Sequence, residues 1–296
     1  MREDPSVPRF SPPTPRSKRL GRELRRLREA AGMTGEQVAD RISSSASRLS
    51  RIESGHIKPS SGGVMELLDL YAVTWKDGPG KALVDLARTL KETGWWARLG
   101  TLSNQYATYI AYEEEALALL NYEPTIIPGL LQTRDYALAV SAVGRETDAA
   151  GIKQRVDARM TRQEVLTKRE KPLRLHAIVS EAALRTEVGG PDLLADQLRH
   201  VVKMAARPNV TVQVLRFAAG AHLADRGGFA VLTFDTDESP LGYVETPAGE
   251  LFLEGPREIA RLTGVFDNLR ELAMSPAESI KWIKGMADGQ EPLDHV

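Results

Sequence analysis

The spacing of apolar side chains in the first quarter of the chain predicts a series of short helices. Four apolar residues between positions 20 and 31 recur at intervals of three and four, which places them on one face of a helix that Gly32 ends. A serine or threonine stands before later apolar runs, as expected of helix N-caps. These signals predict further helices at residues 34–42, 45–53 and 64–71.

The pattern changes from helical to strand-like after Pro172. Four runs are typical of strands, namely LRLHAIVS, VTVQVLRF, FAVLTFD and LGYVETP. Helical periodicity predicts helices around them, at residues 80–94, 105–121, 132–143, 148–170, 191–206, 256–273 and 276–285. The sequence therefore predicts a mixed fold, with an all-α N-terminal domain and a larger α+β C-terminal domain.

Shifts in composition predict the domain boundaries. Residues 1–17 contain five prolines and almost no apolar periodicity, so we expect a flexible arm there. We assign residues 18–76 to the first domain, residues 77–94 to a connecting helix and residues 95–290 to the second domain. A chain of 296 residues exceeds what one small core usually organises, which also favours two domains.

Composition excludes several classes of function. No run approaches the roughly eighteen apolar residues that span a bilayer, and no secretion signal precedes the first domain, so we expect a cytoplasmic protein without a membrane partner. The chain has no cysteine and five histidines that do not share metal-ligand spacing, which predicts neither a metal nor a cofactor. Phosphate loops and nucleophile elbows are missing from the sequence too, so we expect no enzyme.

The net charge of −1 hides an uneven distribution. Residues 1–60 hold 13 Lys and Arg against 7 Asp and Glu, a net charge of +6, whereas the remainder carries −7. A basic block on an acidic chain indicates either an end that meets a polyanion or a solvated basic surface. Charge alone favours neither interpretation.

The stretch from Met33 to Gly55, MTGEQVADRISSSASRLSRIESG, resembles the Xre or phage-repressor class of helix-turn-helix proteins. The shared pattern is a threonine-capped helix with an inward alanine, Ala39, then a three-residue turn and a polar helix that ends Ser-Arg-Ile-Glu-x-Gly. The resemblance implies that the N-terminal all-α domain is a helix-turn-helix module whose third helix enters the major groove of duplex DNA.

The resemblance also assigns roles to single residues. Arg48 is the candidate for guanine, because its guanidinium can donate to both O6 and N7. The other expected contacts to bases or phosphates are Thr34, Gln37, Ser45, Ala46, Ser47, Ser50, Arg51, His56 and Lys58. For Arg51, a surface ion pair is an equally good interpretation.

Two positions qualify this assignment. The family usually has a glutamine where this chain has Gly35, so one contact to the recognition helix or the DNA backbone is missing. Ala46 offers a methyl group and no hydrogen-bond donor. The resemblance further implies an internal ion pair between Arg28 and Glu53, whose role would be structural.

The segment from Tyr122 to Tyr136, YEPTIIPGLLQTRDY, is similar to the signature of a domain that follows Xre-type modules in regulators of filamentous spore-forming bacteria, the Scr-family antitoxin-like group. Further matches are Trp95-Trp96, Arg162-Gln163, Glu181, Leu184-Arg185, Gly189-Gly190, Gln197-Leu198, Pro208-Asn209-Val210, Phe229 and Tyr243-Val244-Glu245. This resemblance implies control through a small partner protein, often encoded nearby.

Taken without the family, the second domain offers two sets of candidate ligand or partner contacts. Trp95 and Trp96 cannot both face one core from a regular helix, because adjacent side chains point in different directions. One of them is then exposed or bridges the domains. The alternative is that the pair serves packing. The other set would form a polar pocket at the sheet if its members converge: Glu181, Arg185, His222, Tyr243 and Glu245. Pro128-Gly129 is a turn of a kind that is more often architecture than a site.

Together these patterns predict a sequence-specific DNA-binding transcriptional regulator, antitoxin-like, controlled by a small partner protein. We expect a homodimer on a double-stranded DNA operator, because one recognition helix buries too little surface for tight binding. Two alternatives remain open at this stage. One is a ligand-sensing repressor with a small-molecule pocket in its C-terminal domain, and the other is an adaptor that does not bind DNA.

Overall fold

The computed structural model describes residues 13–91, 104–143, 149–167, 170–224, 227–235, 239–246 and 248–290. The chain divides into two compact units, residues 1–98 and 99–296, each with a hydrophobic core of its own. The first unit is helical and the second combines helices with a mixed sheet, which confirms the predicted fold class.

The described part of the first unit consists of helices joined by short turns. They are α1 (Pro15–Ala30), α2 (Gly35–Arg41), α3 (Ala46–Glu53), α4 (Ser61–Leu70) and α5 (Gly78–Lys91). The first four begin at a serine or threonine whose hydroxyl accepts a hydrogen bond from the backbone N–H three residues later; these caps are Thr14, Thr34, Ser45 and Ser60.

Helix α1 begins earlier than the apolar pattern predicts. Thr14 and Ser17 form a reciprocal cap, and Pro15 occupies the first turn, where its missing N–H costs nothing. Pro15 and Ser17 are buried. Residues 15–17 therefore belong to the helix and not to the predicted arm, and residues 1–12 lie outside the described part of the chain.

Helix α5 is part of the first bundle. Its apolar stripe, formed by Leu83, Val84, Ala87 and Leu90, is buried in the same core as residues of α1 and α4. The connecting helix predicted at residues 77–94 therefore packs within the first unit over the part that the structure describes, Gly78–Lys91. The sequence predicts the apolar stripe of α5, but it does not predict that this stripe packs against α1 and α4.

The second unit carries more elements. Its helices are α6 (Asn104–Glu115), α7 (Arg134–Ala142), α8 (Ala149–Arg162), α9 (Glu181–Arg185), α10 (Pro191–Ala205), α11 (Pro256–Leu272) and α12 (Pro276–Ala287). Its strands are β1 (Ala118–Glu123), β2 (Arg174–Ser180), β3 (Val210–Leu215), β4 (Phe229–Thr233), β5 (Leu241–Thr246) and β6 (Gly249–Leu253).

The six strands form one mixed sheet in the order β3-β2-β1-β4-β5-β6. β1, β2 and β3 run parallel, while β4, β5 and β6 pair antiparallel. One face buries Leu119, Leu175 and Leu232 beneath α10 and α12, and the opposite face buries Tyr122 and Ile178 beneath α11. Alternate residues of each strand therefore enter two different cores.

Two strands differ from the sequence prediction. Residues 118–121 were assigned to a helix over 105–121, but α6 ends at Glu115 and the chain continues as β1 at the centre of the sheet. β6 was not predicted at all, and among the described strands it pairs with β5 alone, at the edge of the sheet. Within the described residues, no helix is both long and apolar enough to cross a bilayer.

Candidate nucleic-acid interface

The start of α2 is fixed by a reciprocal cap. Thr34 Oγ1 accepts a hydrogen bond from the Gln37 N–H at 3.2 Å, and Gln37 Oε1 accepts one from the Thr34 N–H at 2.9 Å. The cap uses an acceptor oxygen of each side chain and leaves the hydroxyl hydrogen and the amide NH₂ as donors toward solvent. Both residues are exposed.

Helix α3 buries one face and exposes the other. Leu49 and Ile52 are 1% and 5% exposed in the core of the first unit. The predicted DNA-contacting residues lie mostly outside that core: Thr34, Gln37, Ser45, Ala46, Ser47, Arg48, Ser50, Arg51 and His56 are exposed, and Lys58 is partly buried. The structure thus brings the predicted contacts together around α2, α3 and the turn after α3.

Arg48 and Arg51 stand on the exposed side of α3. Within the described residues, neither guanidinium has an ion-pair partner within 4.0 Å. The Ser45 hydroxyl accepts from the Arg48 backbone N–H at 3.1 Å, which fixes the first turn of the helix but leaves the Arg48 side chain uncommitted. Two cations are therefore held at the surface by a short rigid helix.

Two glycines set how closely α3 approaches α1. A Cβ at Gly21 would lie 2.4 Å from the Glu53 backbone oxygen, so only glycine allows α1 to cross the end of α3 at this distance. Gly55 has φ +79°, and a Cβ there would lie 2.8 Å from the Lys18 nitrogen. Gly21 was not among the predicted site residues, although a glycine inside a strongly amphipathic helix is a signal of close packing.

An ion pair joins the same two helices. Arg28 Nε donates to Glu53 Oε1 at 2.6 Å and Arg28 Nη2 donates to Glu53 Oε2 at 3.0 Å, while Arg28 Nη1 donates to the Met33 carbonyl at 2.8 Å. The two side chains are only 12% and 10% exposed. The hydrogen bond to Glu53 raises the pKa of Arg28 above its ordinary value, so the pair is charged and fixes the end of α3.

Gly35 is the first residue of α2, where the resemblance expects a glutamine. A Cβ at this position would lie 3.9 Å from Leu49 Cδ2, an ordinary contact distance. The backbone of this chain therefore has room for a side chain that the sequence does not supply.

In the second unit, Glu181 and Arg185 belong to a structural cluster. Glu181 is 3% exposed and accepts hydrogen bonds from Arg185, Arg216 and the Phe217 N–H at 2.7–2.9 Å. Burial alone would raise the pKa of Glu181, but these three donors outweigh it and hold that pKa below its usual range. The guanidiniums of Arg185 and Arg216 lie 5.8 and 5.0 Å from the Trp282 ring.

The five candidate pocket residues of the second unit do not converge. The His222 ring meets the Tyr122 ring edge-on at 5.8 Å, on the α11 face of the sheet. Tyr243 lies on the opposite face, and Tyr243 and Glu245 both line one pocket there. Trp95 and Trp96 lie outside the described residues.

Three glutamines hold the segment around Pro128-Gly129. Gln132 Nε2 donates to the Ile127 carbonyl at 2.7 Å, and Gln163 Nε2 donates to the Gly129 and Gln132 carbonyls at 3.1 and 2.7 Å. Gln197 bonds the Leu131 carbonyl and the Thr133 N–H. The segment is thus an ordered loop whose backbone groups are satisfied by side-chain amides, of which Gln132 and Gln197 are buried.

Comparison with known families assigns both units. A model of a helix-turn-helix domain matches residues 19–77, which marks the chain as a DNA-binding regulator by its first unit. A second model, described as a domain of unknown function (DUF5753), matches residues 106–285, more than half of the chain. Searches among curated proteins and among solved structures returned no match. The chain belongs to the DUF5753 family.

Proposed function

We propose that this chain is a sequence-specific transcription regulator that reads the major groove of DNA with α3. The observation that carries the proposal is the exposed polar face of α3, on which Arg48 and Arg51 have no ion-pair partner among the described residues. A short helix held at its far end by a charged pair and a glycine crossing is rigid enough to enter a groove about 12 Å wide.

The exposed residues divide into two roles in this proposal. Arg48 and Ser47, in the first turn of α3, meet base edges, with Arg48 on a guanine. Thr34, Gln37 and the residues around the turn at His56 and Lys58 meet phosphates, which positions the helix without reading sequence.

The proposed regulator acts as a homodimer on an imperfect palindrome. One helix of eight residues buries less surface than specific binding needs, whereas two copies about 34 Å apart double it. Gly35 and Ala46 remove contacts that related modules make, so the dimer matters more for this chain.

The resemblance of the second unit to antitoxin-like regulators supports control by a small partner protein. Binding of that partner would favour one arrangement of the two helix-turn-helix domains in the dimer over another, which is a population shift. If the partner leaves the DNA affinity unchanged in a gel-shift titration, control by the partner is contradicted. The proposal that α3 binds DNA is not affected by that result.

The experiment that tests DNA reading begins with selection of bound genomic fragments by the purified chain, followed by substitutions. Arg48→Ala is expected to cost about 1–3 kcal/mol and to relax preference at one base position, because a bidentate base contact is lost. Lys58→Ala is expected to weaken binding to all sequences alike, because a phosphate contact is lost. Footprints and competition titrations report both effects.

Arg88→Ala is the matched control, since Arg88 is an exposed arginine of the same unit that pairs with Asp85 on α5. Its DNA affinity should equal that of the unmodified chain. If Arg48→Ala binds its selected fragments with unchanged affinity and preference, α3 does not read the groove. If no duplex DNA is retained at low salt, the adaptor alternative replaces the proposal.

A further inference from the structure

A pocket of about 400 Å³ opens in the second unit, over the strand ends of β1 and β5. Residues from α6, β1, the loop at Gly129, α8 and β5 line it. Its volume lies within the range of sites that hold small molecules. All of the described residues that line it lie between positions 106 and 246.

One part of the pocket is acidic. Glu123 on β1 and Glu245 on β5 both line the pocket, on strands that are separated by β4. The only hydrogen bond to the Glu123 carboxylate from a described residue comes from Asn121 Nδ2, at a long 3.4 Å. A Cβ at Gly228 would lie 2.8 Å from the Tyr122 backbone oxygen and 3.3 Å from Glu123 Oε2, so glycine is needed where the chain passes this closely beside the carboxylate.

Another part of the pocket is basic. A Cβ at Gly129 would lie 3.9 Å from both Arg159 Nε and Arg162 Nη1, which places the two guanidiniums together beside this loop. Arg162 is committed, because its two hydrogen bonds to Glu113 at 2.8 and 2.7 Å are buried and neutralise its charge. Arg159 donates to the neutral amide oxygen of Gln132 and forms no ion pair with a described residue.

An aromatic wall completes the pocket. The rings of Tyr109 and Tyr243 lie 4.2 Å apart, centroid to centroid. Tyr243 is only 7% exposed, and its hydroxyl oxygen is buried without a hydrogen-bond partner among the described residues. Buried polar groups are almost always satisfied, so an unpartnered hydroxyl in a pocket wall points to a partner that the chain does not provide.

We propose that this pocket binds a small zwitterion of the aromatic α-amino acid class. Glu123 and Glu245 receive the ammonium group, Arg159 receives the carboxylate, and the tyrosine wall covers the aromatic ring. A molecule with one charge of each sign satisfies both ends of the pocket at once, which neither a simple amine nor a simple acid does.

A purely structural role for these groups would predict a different arrangement. Where this unit uses charge for structure, as in Glu113 with Arg162 or Glu181 with Arg216, opposite charges contact each other directly. Glu123 and Arg159 line the same pocket but form no ion pair. The two charges thus line one pocket without contacting each other, as in a site built for a ligand that carries the complementary pair.

Calorimetry on the full chain tests the proposal with L-phenylalanine, L-tyrosine and L-tryptophan. Two matched probes each lack one group of phenylalanine: phenethylamine has no carboxylate, and 3-phenylpropanoate has no ammonium. At least one amino acid should bind, and each truncated probe should bind at least about tenfold more weakly than phenylalanine, because one charged hydrogen bond is lost.

Variants assign the groups. Glu123→Gln should weaken phenylalanine binding about tenfold or more but leave 3-phenylpropanoate nearly unaffected, and Arg159→Gln should show the reverse selectivity toward phenethylamine. Tyr243→Phe removes a hydroxyl that has no partner among the described residues, so the chain should remain at least as stable, and its affinity should fall because the ligand loses its hydrogen bond with that hydroxyl. Asp157→Asn, at an exposed position on α8, is the control and should bind like the unmodified chain.

Three results would overturn the proposal. One is that none of the three amino acids binds. Another is that phenethylamine or 3-phenylpropanoate binds as tightly as phenylalanine. The last is that Glu123→Gln and Arg159→Gln, shown to be folded by circular dichroism, bind phenylalanine unchanged. None of these outcomes depends on DNA binding, so the proposal stands or fails independently of the function of α3.

Discussion

At the scale of single residues, four glutamates of this chain differ in their surroundings and therefore in their roles. Glu53 and Glu113 each pair with an arginine that is almost buried, and Glu181 accepts from three donors. Glu123 has one weak donor in a pocket wall. The sequence contains forty acidic residues and gives no local sign that Glu53 and Glu113 will be paired, because their arginine partners are 25 and 49 positions away.

The unusual state of Glu123 leads to a pH-dependent stability. Burial raises its pKa from 4.5 to about 7, with Glu245 adding to the rise and Asn121, Arg159 and Arg162 opposing it. Because the folded pKa is raised, the ionised carboxylate is penalised in the native state. The contribution of Glu123 to the free energy of unfolding is therefore most favourable below pH 4.5 and is lost as the pH rises to about 7.

Glu123→Gln should remove this dependence. We expect the free energy of unfolding of the variant, relative to the unmodified chain, to increase between pH 4.5 and 7 and to be constant above about pH 8. Urea titrations across this pH range measure the difference. Glu187→Gln, at an exposed glutamate of the same unit, should give a flat difference; a flat curve for Glu123→Gln as well would show that the carboxyl titrates normally.

At the scale of elements, the position of α3 depends on contacts with α1 that are remote in sequence. The glycine crossing at Gly21 and the pair between Arg28 and Glu53 both join the end of α3 to α1. Secondary structure was predictable in these helices because caps and apolar spacing act locally.

The strand β1, in the second unit, was not predictable from its sequence. Its Ala-Leu-Leu sequence favours a helix and becomes a strand only by pairing with β2 and β4 on both sides.

Glu53→Ala should unfold the first unit before it changes DNA preference. Removing Glu53 takes both short hydrogen bonds from an almost buried Arg28 and leaves it the Met33 carbonyl and Glu29 at 3.8 Å, which costs about 3–5 kcal/mol. Thermal unfolding monitored by hydrogen exchange in residues 15–90 measures the loss. Glu23→Ala breaks an exposed pair with Arg26 and should cost less than about 1 kcal/mol; a folded Glu53→Ala variant with altered base preference would contradict the structural role.

At the scale of the whole molecule, the N-terminal part of the chain and the remainder carry net charges of opposite sign. The first sixty residues carry +6 and the remainder carries −7, so the near-neutral total conceals a basic DNA-facing module. The family matches divide the chain in the same sense, with the helix-turn-helix in residues 19–77 and the DUF5753 domain in residues 106–285.

This asymmetry predicts steeply salt-dependent DNA binding in spite of the net charge of −1. For a dimer that neutralises six or more phosphates, we expect a plot of log K against log salt with a slope of about −5 or steeper. Fluorescence anisotropy on duplex DNA, at salt concentrations between about 50 and 200 mM, measures this slope. A slope near zero would mean that the basic block is only a solvated surface.

The sequence by itself determined the local features: the helix caps, the apolar stripes, most strands, and the helix-turn-helix pattern with its exposed arginines. These follow from interactions within a few residues, so periodicity and cap residues suffice to predict them. The tertiary structure alone decided that α5 joins the first bundle, that β1 lies at the centre of the sheet, and that Glu123, Arg159 and Tyr243 share a pocket while Glu181 and His222 do not. Those outcomes depend on which distant segments pack together, and a pattern of neighbours along the chain does not contain that information.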